Sequence, residues 1–150
     1  MIFLLDNIRS KFNIGSFFRT ADAFNLEKLI LCGFTPYPPD KEISKTAIGA
    51  ENSVKWQYFQ NSFEAVQILK NQGKKIISVE LDEKSKKIGE INFSGDEVFV
   101  FGNEINGVDK KILEISDEIL EIPMLGKVKE SMNVGVVAGI VGAFGLYFRK

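Results

Sequence analysis

The chain has 150 residues, 45% hydrophobic and 26% charged, with a net charge of −1. That composition describes a single globular domain able to bury a core without disulfides or a structural metal. One cysteine, Cys32, and no histidine exclude an internal disulfide, Cys/His zinc sites, His acid–base catalysis and Ser-His-Asp triads. With so little net charge, any contact with nucleic acid has to come from a local Lys/Arg cluster or from two subunits together.

In chain order, Ile2 to Leu5 reads as a first strand, and the charge at Asp6 cuts the apolar run too short for a signal-peptide core. The cytoplasm is the default compartment. A helix is expected from Ile14 to Phe24, with Phe17, Phe18, Ala21 and Phe24 three and four apart. Leu29 to Gly33 is a buried strand. Asp40 can cap a helix reaching Ala47, and Val54 to Phe59 is a candidate strand. Ser62 to Asn71 is a helix ended by Gly73, followed by a strand from Lys75 to Leu81 and a solvated loop to Lys87. Glu97 to Phe101 is a strand, Val108 to Ile115 a helix and Glu118 to Ile122 the last strand. A loop over Gly126 to Glu130 leads into a long helix from Ser131 to Tyr147. Strands alternating with helices predict an α/β fold with a mostly parallel sheet and helices on both faces. No repeat or linker divides residues 1–150, so one domain is expected.

Four segments carry chemical signals. In Asn7 to Ala21, Asn13 is a plausible helix cap, and Gly15 with the free amides of the first turn could meet an anion. Arg9, Lys11 and Arg19 would add positive charge; the plainer reading is a capped helix with a solvated basic flank. Gly102 to Gly107 has the spacing of half a phosphate loop, but Val108-Asp109 stand where Lys-Ser/Thr is required. Glu104 between two glycines is either a surface turn residue or part of a ligand wall. Ile122-Pro123-Met124-Leu125-Gly126, with Ser131-Met132-Asn133-Val134, offers apolar side chains and free backbone groups to a flat heteroaromatic ring such as adenine. Ser131 could cap the last helix. That helix, with Gly135, Gly139 and Gly142, fits a close helix–helix contact. It reads as a core helix, a subunit contact or a tail anchor, and Asn133 within an α/β chain argues against the last.

These segments, in this order, resemble the three motifs of the SpoU (TrmH-like) branch of the SPOUT RNA methyltransferases. Asn13 to Phe24 resembles the first, Val98 to Asp109 the second, and Ile122-Pro123-Met124 through Val134 the third. Thr46 to Glu51 is similar to an intermediate segment of the family, and the likeness covers essentially the whole chain. Met132 stands where the family often has Leu, a volume-conserving change. Asn25 stands where it commonly has Gly, so a cap by Asn is expected. The resemblance implies a C-terminal trefoil knot, a SPOUT fold, a homodimer, and AdoMet-dependent methylation of a ribose 2'-hydroxyl in RNA. Transfer RNA is favoured over ribosomal RNA because a bare domain suits a compact substrate. The alternative is a SPOUT-like protein that binds cofactor or RNA without catalysis.

Carried over by position, the resemblance implies that Arg19 is catalytic, supported by Asn13, Glu104, Ser131 and Asn133. It places the cofactor, S-adenosyl-L-methionine, against Leu81, Phe101, Gly102, Ile122, Met124, Leu125, Ser131 and Asn133. RNA would be held by Arg9, Lys11, Arg19, Lys41, Lys45, Lys127 and Lys129. No metal is implied, because methyl transfer from a sulfonium needs alignment above all.

Overall fold

The computed structural model describes residues 1–129 and 131–148. The last residue of the expected 126–130 loop, Glu130, lies outside them. β1 (Ile2–Asp6) and β6 (Glu97–Phe101) are buried along their whole length. Such uninterrupted apolar strands are what a sheet covered on both faces requires. They are flanked by β2 (Lys28–Cys32), β3 (Trp56–Phe59), β4 (Lys75–Val79), β7 (Glu118–Glu121) and β5 (Lys86–Lys87). The sheet has seven strands in the order β3-β2-β1-β6-β4-β7-β5, and every pairing is parallel. Strand order reverses beside β1, so loops at the carboxyl ends of β1, β4, β6 and β7 gather on one edge around a crevice.

Alternation along the strands divides the interior in two. Phe3, Leu5, Leu29, Leu31, Phe99 and Phe101 face α1 (Lys11–Ala23), α2 (Lys41–Ala47) and α5 (Val134–Tyr147). Ile2, Leu4, Ile30, Ile76, Val98 and Val100 face α3 (Ser62–Asn71) and α4 (Lys110–Ile115). Phe17 on α1 meets Phe101 edge-on at 5.0 Å between ring centres, and Phe3 meets Phe101 at 4.8 Å. Edge-on aromatic pairs add about 1 kcal/mol beyond their burial. They fix α1 against the end of β6, the strand that leads into the Gly102–Gly107 loop.

Local chemistry shifts several expected boundaries. α1 starts at Lys11 because Ser10 caps it, its hydroxyl accepting from the Asn13 amide. α5 starts at Val134 because Asn133, not Ser131, caps it through the Gly135 amide at 2.9 Å. Asp40 caps α2 as expected, and Asn25 takes the left-handed conformation after α1 at φ 48°. β5 was expected to be loop; its two lysines carry no hydrophobic signal and pair only because β7 leaves an open edge. Among the described residues no helix is long and apolar enough to cross a membrane.

Two glycine assignments change. A Cβ at Gly15 would sit 1.8 Å from Thr46 Oγ1 and 2.6 Å from the Ile43 carbonyl, so Gly15 lets α1 lie against α2 rather than greet an anion. α5 runs beside α1 in the same direction, with Asn133 near Asn13, Gly135 near Ser16 and Gly142 against the Phe24 ring. The close contact therefore uses Gly135 and Gly142, while a Cβ at Gly139 would meet open space. Gly15→Ala should lower the free energy of unfolding by about 2 kcal/mol through overpacking. This loss comes despite alanine's helix-propensity advantage of about 1 kcal/mol. A urea midpoint equal to or above wild type would refute the packing role.

Candidate functional site

Three segments distant in sequence are joined by one line of hydrogen bonds. Glu104, in the loop after β6, accepts from the Arg9 and Ser10 amides at 3.1 Å each and from Asn13 Nδ2 at 3.4 Å. Asn13 Oδ1 accepts from Asn133 Nδ2 at 3.0 Å, and Asn133 Oδ1 accepts from the Gly135 amide. Burial alone would push the Glu104 carboxyl up; the Arg9 and Ser10 amides and the Asn13 side chain outweigh it and hold the carboxyl below the usual glutamate range. Glu104 is thus an ionised clasp between the β6 loop and the start of α1.

The same loop is held from two other sides. The buried Asn103 donates to the Asn7 carbonyl at 2.7 Å and accepts from the Ile105 and Asn106 amides. Glu80, just past β4, accepts from the Val108 and Leu81 amides at 2.9 Å. Asp6, buried at the end of β1, accepts from the Asp109 amide at 3.0 Å. The glycines bounding the loop serve this closure. A Cβ at Gly102 would stand 2.1 Å from the Val108 nitrogen, and Gly107 takes φ 70° with Glu80 packed against it. Sequence reasoning overlooked Glu80 and Asn103; their only sequence signal was a polar residue directly beyond a buried strand.

Behind the clasp lies a cavity of about 500 Å³, walled by the carboxyl ends of β4, β6 and β7 and the start of α5. Val79, Leu120 and Val137 give it apolar walls. Of the residues expected to meet a cofactor, Leu81, Phe101, Gly102, Ile122, Met124, Ser131 and Asn133 line it. Leu125 is not in that lining, and its side chain is 95% exposed. The ionisable side chains of the lining are Glu80, Glu104 and Glu121, with no Lys or Arg among the described residues there.

The expected catalytic set is only partly assembled. Asn13, Glu104, Ser131 and Asn133 all line the cavity, but Arg19 does not. It lies two turns along α1 from Asn13, on the exposed side of the helix. The expected RNA-binding cations are exposed but not all unpaired. Lys11 bridges to Asp40 at 2.7 Å and Lys45 to Glu42 at 2.7 Å, while Lys41, Lys127 and Lys129 stand on the surface. Arg9 sits at the clasp itself through its backbone.

Comparison with known proteins sets this site in a family. A family model described as the SpoU rRNA Methylase family matches residues 1–143. The chain is 32% identical over 145 residues to a tRNA (guanosine(18)-2'-O)-methyltransferase of Aquifex aeolicus, covering 94% of this chain and 66% of that protein. It is 33% identical over 147 residues to the 23S rRNA (guanosine-2'-O-)-methyltransferase RlmB of Neisseria meningitidis, covering 94% and 56%. Its fold superimposes on an AdoMet-bound rRNA methyltransferase from Sinorhizobium meliloti with a TM-score of 0.88 at 24% identity, covering 97% of this chain and 54% of that one. The chain thus spans less than two thirds of the length of these relatives. With nearly its whole length matched, and with asparagines and a carboxylate from three separate segments meeting at one cavity, the chain belongs to the SpoU rRNA Methylase family.

Proposed function

We propose that the chain is an AdoMet-dependent RNA methyltransferase acting on a ribose 2'-hydroxyl, in tRNA in preference to rRNA. The observation that carries this reading is the Glu104–Asn13–Asn133 line at the mouth of the cavity. It unites the three segments whose order resembles the family's motifs. The names of the tRNA and rRNA methyltransferases that this chain is similar to support the same reaction class. The proposal extends to a cytoplasmic homodimer and to a C-terminal trefoil knot, formed by threading the last segment through a loop. The position of β7 near one edge of the sheet and of α5 beside α1 supports such a crossing.

The cavity fits the cofactor. Its volume is that of a small-molecule site. The apolar walls beside the backbone of Gly102 and Ile122 suit an adenine ring, with Leu81, Phe101 and Met124 closing around it. A lining whose charges are all carboxylates favours a cationic sulfonium. Bound there, AdoMet supplies an activated methyl group and a good leaving group.

The chain's own residues supply alignment. Ser131 and Asn133, at the cavity mouth, orient the ribose. Glu104 is committed to the Arg9 and Ser10 amides and Asn13, so its part is to hold Asn13 rather than to take the hydroxyl proton. Arg19 grips a phosphate beside the target ribose with its guanidinium and directs the hydroxyl proton to a phosphate oxygen. Arg19 does not line its own cavity, and α5 with its C-cap residue exposes Val136, Tyr147 and Phe148. Both features support a pairing in which each subunit lends Arg19 to the other's cavity.

Arg19→Ala should reduce methyl transfer from labelled AdoMet to cellular RNA by about 100-fold without changing the melting temperature. If wild type transfers no more label than this variant on any RNA pool, the reading fails. Asn133→Ala should cost about 1 kcal/mol of stability through the lost cap, and much more in turnover. Equal mixing of the two inactive variants, with subunit exchange, should restore about a quarter of wild-type activity; no recovery would mean that Arg19 does not act across subunits.

Glu104→Gln should lower turnover about tenfold by loosening Asn13. Its stability should also respond differently to pH. A carboxyl held low in the folded chain contributes fully above the ordinary glutamate range, and that contribution drains away as pH falls through and below about 4. Wild type should therefore lose stability relative to Glu104→Gln on acidification. Parallel stability curves for the two proteins would contradict the clasp.

A further inference from the structure

Beyond the cavity, the same edge of the sheet carries a group of aromatic rings that the proposed reaction leaves without a task. Trp56 and Tyr58 lie two apart on β3, and so share one face of the edge strand. Tyr37, from the loop after β2, lies over both, 5.8 Å from the Trp56 ring at 31° and 4.7 Å from Tyr58 at 44°. Tyr37 is 47% exposed and Tyr58 36%, and Phe34, in the same loop, is 60% exposed. A folding role alone would bury these faces.

This patch is wired to the clasp. Tyr58 donates its hydroxyl to the Gly33 carbonyl at 2.7 Å. The Phe34 amide donates to Asn7 Oδ1 at 3.0 Å, and the Asn7 carbonyl accepts from Asn103 of the β6 loop. Two cations lie close to the rings along the chain. Arg9 follows Asn7 by two residues, and Lys41 opens α2 four residues after Tyr37, while Lys11 is ion-paired with Asp40 at that helix start. Flat exposed rings with cations beside them are the chemistry that captures unpaired nucleobases and their phosphates. A duplex keeps its bases stacked inside and offers only phosphates.

We infer that Phe34, Tyr37 and Tyr58 form a stacking platform for an unpaired RNA base near the nucleotide presented to the cavity. This inference rests on the RNA methyltransferase reading. The platform selects substrates by the presence of a single-stranded or loop base, while Arg9 and Lys41 hold the adjoining backbone.

Trp56 is the single tryptophan of the chain and reports on the patch. Titration of the chain with a ten-residue single-stranded oligoribonucleotide should quench its fluorescence, and the same strand annealed to its complement should not. Phe34→Ala with Tyr37→Ala should weaken single-strand binding about tenfold and leave AdoMet affinity, measured by calorimetry, unchanged. Phe34→Tyr with Tyr37→Phe, which keep flat rings, should retain binding. Equal binding of duplex and single strand, or affinity unaffected by losing the rings, would overturn the platform. So would a wild-type dimer that becomes monomeric in the double alanine variant, because a second copy would then cover the patch. Failure of wild type to bind AdoMet, with ring-dependent single-strand binding intact, would overturn the methyltransferase reading and uphold the platform.

Discussion

A carboxylate that must stay charged organises this molecule's carboxyl edge. Glu104 is anchored by backbone amides at the start of α1, and through Asn13 it reaches the first turn of α5. The partners come from three separate segments, at residues 9–13, at Glu104 and at residues 133–135. Within the loop around Glu104, the backbone is closed by one bridge between Asn103 and Gly107 and by Asn103 accepting from the Ile105 and Asn106 amides. The bonds are individually modest, since a net hydrogen bond contributes about 1 kcal/mol and one to a charged group somewhat more. Their effect is geometric, because they set three loops at fixed separation around one cavity.

The sheet makes that placement affordable. Parallel strands deliver every strand-to-helix turn to one edge, and the reversal of strand order beside β1 opens the crevice there. The phenylalanines beneath α1 make the floor rigid, so that small movements of α1 carry Asn13 and the β6 loop together. Rigidity of this kind is what a reaction needing alignment more than acid–base power requires.

Much of this was legible in the residues, and what was not has physical causes. Alternating strand and helix signals located most elements because burial on both faces writes itself as continuous apolar runs, as in β1 and β6. Segment order pointed to Asn13, Glu104 and Asn133. Their partners could not be read, since a bond between residues 13 and 133 leaves no local trace. Caps were misplaced because Ser10, Asn13, Ser131 and Asn133 are all good capping residues, and tertiary contacts chose among them. Gly15 resembled an anion-binding glycine, yet the reason for it is a second helix that lies nearly 30 residues on. The exposure of the Leu125 side chain could not be read either, because a side chain's direction within a loop has no periodicity to reveal it.

The line of side-chain amides also has a polarity. The Gly135 nitrogen can only donate, so Asn133 must turn its oxygen toward α5 and its nitrogen toward Asn13. Asn13 must then present its oxygen to Asn133 and its nitrogen to Glu104, which closes the line with an acceptor that has no proton to give. Every amide orientation is dictated from both ends. Hydrolytic ageing of either asparagine to an acid would break this order: at Asn13 it sets a second negative charge against Glu104, and at Asn133 it sets a carboxylate oxygen against the Asn13 oxygen. The carboxyl edge therefore carries a built-in sensitivity to chemical age, concentrated at the two asparagines that the three loops share.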